Sequence, residues 1–225
     1  MSMNRAAEML NLADMRDQYL QQQLRGDRRA ALQFIETALS GGASVNEVRC
    51  LIIQAAQRKI GRLWLEDRIT VAQEHMATAI SQLALAHLFQ RDEFRERVNK
   101  KILIACVPGE HHEFPARLLA DALEVAGYDV RFLGADVPLD SLRHSIETEC
   151  PDVVALSMTM LFHLPALREA VNAVRAMKRQ GMLIAIGGSL FESSPSLSAD
   201  IGADVVATDA DAFISQLAIR LGSQT

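Results

Sequence analysis

Through the first 97 residues, apolar positions recur every three or four residues, and no run stays apolar long enough to read as a strand. This spacing predicts helices over about 14–24, 28–40, 45–65 and 70–90, with Gly41-Gly42 interrupting the pattern between the second and third. Ser44 with Glu47, and Thr70 with Gln73, stand three residues apart, as in a capping box. In that motif a hydroxyl and a carboxyl or amide satisfy each other's backbone N–H, so both pairs mark helix starts. Connections this short return consecutive helices antiparallel, and residues 1–97 are expected to form a four-helix bundle. The charged segment 89–100 reads as a linker.

From residue 98 the rhythm changes. Apolar runs at 102–107, 130–133, 153–158, 183–186 and 205–207 alternate with helical stretches near 113–126, 138–148, 163–179, 192–201 and 210–221. Strands that are apolar throughout, each followed by a helix, imply a parallel sheet covered on both faces. The expected fold is α + α/β: the bundle, then a flavodoxin-like doubly wound domain of five parallel strands over 98–225. In such sheets ligands bind beyond the carboxyl ends of the strands, where the strand order reverses. Three loops are expected there: PGEHHEFP (108–115), SMTM (157–160) and GGS (187–189).

Composition narrows the function classes. The formal net charge is −5. Residues 1–100 hold 14 Lys and Arg against 12 Asp and Glu, and residues 101–225 hold 9 against 16. Neither half is a basic nucleic-acid surface, so direct binding to nucleic acid is not expected. No apolar run reaches the length of a membrane span, and the N-terminus is amphipathic without the apolar core of a signal peptide. Cys50, Cys106 and Cys150 lie far apart without metal-type spacing, as expected for reduced thiols in a cytoplasmic protein. No nucleophile–base arrangement, phosphate loop or carboxylate pair on one helix face is evident, so an enzyme is not expected.

The candidate chemistry sits in Glu110-His111-His112-Glu113. A single histidine on such a loop is commonly a surface or helix-capping residue. Glu110, two positions before His112, is however placed to accept from its Nδ1–H, which would fix the tautomer and leave Nε2 for a metal. Without further protein ligands at zinc-like spacing, a lone imidazole suits a metal whose other positions are filled by a macrocycle. His111 is given no role.

The loop motifs resemble those of cobalamin-binding domains of the methionine synthase and methylmalonyl mutase type. These carry Asp-x-His-x-x-Gly, then Ser-x-Leu, then Gly-Gly. Here the matching positions are Glu110, His112 and Pro115, then Ser157 and Thr159 after the 41 intervening residues 116–156, then Gly187-Gly188 after the 27 residues 160–186. The resemblance implies that His112 is the lower ligand of cobalt, with the corrin's own base displaced. It also implies that Ser157, Thr159, Gly187 and Gly188 line the slot for the displaced nucleotide tail. Glu replaces Asp at 110, Pro replaces Gly at 115 and Thr replaces Leu at 159. Glu110 keeps the acceptor, Pro115 suits the first turn of a helix, and Thr159 changes the slot lining.

In the bundle, nine residues separate Trp64 from Glu74-His75. A buried tryptophan and a polar helix start are common in themselves. The Trp-x9-Glu-His spacing nevertheless resembles CarH-type adenosylcobalamin photoreceptors, in which a helical cap covers the upper corrin face. The resemblance implies that Trp64 packs over the adenosyl group, Glu74 hydrogen-bonds its ribose, and His75 ligates cobalt from above once that group has gone. Emptying the volume beneath Trp64 would cost several kcal/mol unless the cap repacked, so light would drive a change between two packings. Some 13 residues precede the first expected helix, too few for the winged-helix domain of that group. The chain therefore reads as a stand-alone sensor, like the antirepressors of photosynthesis genes, acting on a separate transcription regulator or by self-association. The competing expectation is a corrinoid carrier of methyl groups between methyltransferases. Asp136 is a weaker candidate for the corrin rim, and His87, His144 and His163 are expected to be ordinary surface or core residues.

Overall fold

The computed structural model describes residues 11–207 and 209–222. The N-terminal stretch read above as amphipathic lies largely outside the described residues. The chain divides into two compact units, one ending at Asp92 and the other starting at Glu93.

The first unit is a helical bundle: α1 (Leu12–Arg25), α2 (Arg28–Ser40), α3 (Val45–Glu47), α4 (Ala55–Leu65) and α5 (Val71–Phe89). Both expected capping boxes form, with Ser44 and Glu47 opening α3 and Thr70 and Gln73 opening α5. The sequence reading of one regular helix over 45–65 needs a correction. A π-helical stretch, Val48–Gln54, joins α3 to α4 in a continuous rod. Ile35, Ile52, Ile53, Ile60, Ile80, Leu85 and Leu88 are fully or almost fully buried in this unit.

The π-helical stretch carries a buried cation. Arg49 Nη2 lies 2.5 Å from Asp92 Oδ2, with the two side chains only 6% and 4% exposed. Removing one partner of such a pair strands a charge in a poorly solvated site. Asp92→Ala is expected to destabilise the bundle by about 3–5 kcal/mol in denaturant unfolding, with most of the loss recovered in Arg49→Met/Asp92→Leu. A loss below about 1 kcal/mol, the range of a surface pair, would refute this reading.

In the second unit the strands are β1 (Lys101–Cys106), β2 (Asp129–Phe132), β3 (Val153–Ser157), β4 (Leu183–Gly187) and β5 (Val205–Ala207), all parallel in the order β2-β1-β3-β4-β5. This is the expected doubly wound sheet. Alternate residues along each strand enter the two cores. Leu103, Ala105, Val154, Leu156, Ile184 and Ile186 pack with α7 (Leu139–Glu149) and α8 (Leu164–Ala176). Ile102, Ile104, Val153, Ala155, Ala185 and Val205 face the other way, against α6 (Phe114–Val125) and α10 (Ala210–Leu221). The helix expected over 192–201 is instead a short α9 (Ser189–Ser193) followed by a 3-10 turn, Pro195–Ser198. Pro195 disfavours helical backbone at the preceding residue, and Ser194 adopts φ −141°, ψ 69°.

Register places the functional edge. Cys106 pairs with Ser157, and Ser157 with Gly187, so β1, β3 and β4 end level with one another. The order reverses between β1 and β3, which opens the crevice where this fold class binds ligands. The candidate loops all leave from this edge.

Candidate functional site

Glu110 organises the crevice. Its residue is fully buried, although a carboxylate there must recover its lost hydration through hydrogen bonds. Oε1 accepts from the His112 backbone N–H (2.8 Å) and lies 2.5 Å from His112 Nδ1. Oε2 accepts from the backbone N–H groups of Thr159 (2.7 Å) and Met160 (3.2 Å) and lies 3.0 Å from His163 Nδ1. Burial by itself would raise the Glu110 carboxyl, but the bonds from His112, Thr159 and His163 outweigh it and hold it far below the usual carboxylate range.

An ionised carboxylate can only accept, so both imidazoles donate from Nδ1. For His112 this fixes the tautomer and directs coordination chemistry to Nε2. The His112 side chain is 37% exposed, whereas the neighbouring His111 is exposed and has no part in the arrangement. The expected Glu110–His112 bond is therefore present.

The loop is built to hold that pair. Gly109 takes φ +82°, a left-handed conformation suited to glycine, and its N–H donates to Asp136 Oδ1 at 2.7 Å. Asp136 N–H returns a bond to Glu110 O at 2.9 Å. Asp136 thus ties the β2 exit to the β1 exit. Pro115 occupies the first turn of α6, as expected.

His163 is the residue that sequence reasoning missed. It ends the 3-10 turn Leu161–His163 after β3, is only 13% exposed, and holds the Glu110 oxygen opposite to the one that His112 uses. No local pattern marks it: 53 positions separate it from Glu110, and only the β1–β3 pairing brings them together. Through its two oxygens one carboxylate serves both loops.

Ser157 is 7% exposed at the end of β3, with its hydroxyl against the Cys106 thiol. Burial first, and then the charges of Glu110 and Glu113, push that thiol up to about 12, which makes it a poor nucleophile at neutral pH. Thr159 Oγ1 is buried and has no hydrogen-bond partner among the described residues. Beside it, Gly188 has φ +131°, and a Cβ there would fall 1.8 Å from Met158 O. A Cβ on Gly187 would meet Ala207 O at 3.1 Å. These loops pass one another where a side chain has no room.

Trp64, Glu74 and His75 belong to the bundle unit. Trp64 is partly buried in the last turn of α4, and Glu74 and His75 lie near the start of α5. Their side chains differ: Glu74 is 12% exposed and His75 is 74% exposed, with His75 Nε2 at 3.7 Å from Glu74 Oε2.

Residues 100–218, more than half of the chain, match the family model described as B12 binding domain. The chain belongs to the B12 binding domain family. A second model, also described as B12 binding domain, matches residues 15–89.

Relatives of this B12-binding chain extend the picture. An uncharacterized 20.5 kDa protein in the bchF-crtJ intergenic region of Rhodobacter capsulatus is 28% identical over 180 residues, covering 78% of this chain and 92% of that one. The HTH-type transcriptional repressor CarH of Myxococcus xanthus is 26% identical over 134 residues, covering 60% of this chain but only 44% of the repressor. Among solved structures, the Methanosarcina barkeri monomethylamine corrinoid protein shares the fold, with a TM-score of 0.75, 18% identity and coverage of 93% of this chain and 97% of that one.

The residues present fit a cobalamin. His112 supplies an imidazole with a fixed tautomer, Thr159 Oγ1 is a buried hydroxyl in need of a partner, and Gly187-Gly188 present bare backbone. Among the described residues no helix is long and apolar enough to cross a membrane, and no cluster of three or more His, Cys, Asp or Glu offers a separate metal site.

Proposed function

We propose that this chain is a cobalamin-dependent light sensor that holds its cofactor base-off through His112. The observation that carries the reading is the Glu110 carboxylate, which aims one imidazole while anchoring the facing loop. A ligand of this kind has to be held in one orientation to replace the corrin's own base. When bound, adenosylcobalamin would supply a cobalt–carbon bond weak enough for visible light to break.

The chain's residues divide the work. Glu110 orients His112 and keeps its proton on Nδ1. Ser157, Thr159, Gly187 and Gly188 would hold the nucleotide tail. Trp64, Glu74 and His75 would serve the adenosyl group, Trp64 by packing, Glu74 as an acceptor for a ribose hydroxyl, and His75 as an imidazole able to hold cobalt. Support comes from the Trp-x9-Glu-His spacing and from the matching stretch of a transcriptional repressor. Switched packing would alter self-association or binding to a separate transcription regulator.

A methyl carrier is the competing outcome, because the fold is also that of a monomethylamine corrinoid protein. Absorption titration with adenosylcobalamin and methylcobalamin, followed by gel filtration before and after green light, distinguishes the two. The sensor is expected to prefer the adenosyl form by at least about tenfold, a difference of about 1.4 kcal/mol, and to change its elution or partner binding on illumination. Preference for the methyl form, with identical profiles in dark and light, would replace the sensor by the carrier.

A further inference from the structure

The bundle contains a chain of polar side chains that ends on Glu74. Gln23 Nε2 donates to Ser81 Oγ at 2.7 Å, and Ser81 Oγ donates to Gln57 Oε1 at 2.8 Å. Gln57 Nε2 donates to Thr78 Oγ1 at 2.5 Å, and Thr78 Oγ1 donates to Glu74 Oε1 at 2.6 Å. The residues come from α1, α4 and α5, with Gln23 and Ser81 fully buried.

Every link points the same way. A carboxylate carries no proton to give, so Thr78 must donate to Glu74, and its oxygen then accepts from Gln57. That orients the Gln57 amide with its oxygen toward Ser81. Ser81 donates to that oxygen, and its own oxygen accepts from Gln23. Gln23 also donates to Ala77 O at 3.0 Å, which occupies its amide nitrogen. Its Oε1 is consequently left buried without a partner among the described residues.

A polar network in a helical core is costly unless every member is satisfied, and an apolar core would be simpler. Turning the Gln23 amide over would set its oxygen against Ala77 O and toward Ser81, reversing that hydroxyl and breaking the link to Gln57. The bundle instead tolerates an orphaned acceptor in its core while all the donors remain aimed at one carboxylate. Glu74 Oε1 is thereby held by Thr78, and among the described residues Oε2 accepts no hydrogen bond, with His75 Nε2 at 3.7 Å.

We propose that Thr78, Gln57, Ser81 and Gln23 are positioning residues that fix Glu74 so that Oε2 accepts from a hydroxyl of the upper ligand, making the relay the determinant of selectivity for adenosyl over methyl. This rests on the assignment of Glu74 to the adenosyl side. The relay predicts that selectivity is encoded by hydroxyls and amides that touch no ligand.

The test compares the affinities of full-length protein for adenosylcobalamin and methylcobalamin by absorption titration in the dark. The ratio is internal to each variant, so a loss of folded protein cancels. Thr78→Val preserves shape but removes the donor to Glu74, and is expected to lower the adenosyl-to-methyl ratio about tenfold. Thr78→Ser restores the hydroxyl and is expected to restore the ratio. Ser81→Ala, one link further from Gln57, is expected to lower it about threefold. If Glu74→Ala lowers the ratio while Thr78→Val and Ser81→Ala leave it unchanged, the relay is overturned and the assignment of Glu74 stands. If Glu74→Ala itself leaves the ratio unchanged, the assignment falls and the relay with it.

Discussion

His112→Ala is expected to weaken cobalamin binding at least about a hundredfold, because it deletes the proposed lower ligand itself, and loss of an outer partner alone typically costs 10–100-fold. The spectrum matters more than the affinity. Adenosylcobinamide lacks the nucleotide base, so any nitrogen that reaches cobalt must come from the protein. The wild type should shift the cobinamide spectrum to its nitrogen-ligated form, and His112→Ala should leave it base-off. An equal shift in both proteins would remove His112 from the metal and end the sensor reading in its present form. The prediction is specific because His111, next in the chain, is exposed, whereas His112 Nδ1 lies 2.5 Å from Glu110 Oε1.

Gly188→Ala should be the most damaging small substitution in the second unit. The added Cβ would lie 1.8 Å from Met158 O and 2.7 Å from Met158 C, and the backbone angle of φ +131° belongs to a region that residues with a Cβ rarely enter. The obstacle is backbone, so no side chain can swing aside. Met158 N–H also bonds Gly187 O at 3.0 Å, which ties the two loops together there. A loss of at least about 3 kcal/mol is expected in denaturant unfolding, together with weaker cofactor binding. Gly187→Ala meets Ala207 only at 3.1–3.2 Å and should cost less. A Gly188→Ala protein within about 1 kcal/mol of wild type would mean that these loops separate easily, contrary to the packing described.

Much of the architecture was legible beforehand, for local reasons. The first strand was expected over 102–107 and runs Lys101–Cys106, because an apolar run between polar breaks has few alternatives. The capping boxes were readable because their partners stand three positions apart, within one helical turn. The π-helical stretch was not readable, since its apolar spacing resembles that of an α-helix. The Glu110–His112 bond was expected from a separation of two residues, and the structure contains it. His163 and the Gln23–Ser81–Gln57–Thr78 chain were invisible, since their partners stand 21 to 58 positions apart.

The sequence by itself determined the order and type of nearly all the elements, the doubly wound sheet and the bonding of Glu110 to His112, because these depend on periodicity and on neighbours a few residues apart. The tertiary structure alone decided that Glu110 also grips the β3 loop, that Gly188 passes against Met158, and that Glu74 ends a line of aligned donors. Such contacts join groups whose chain separation carries no directional information, and only packing of the folded elements brings them within hydrogen-bond range.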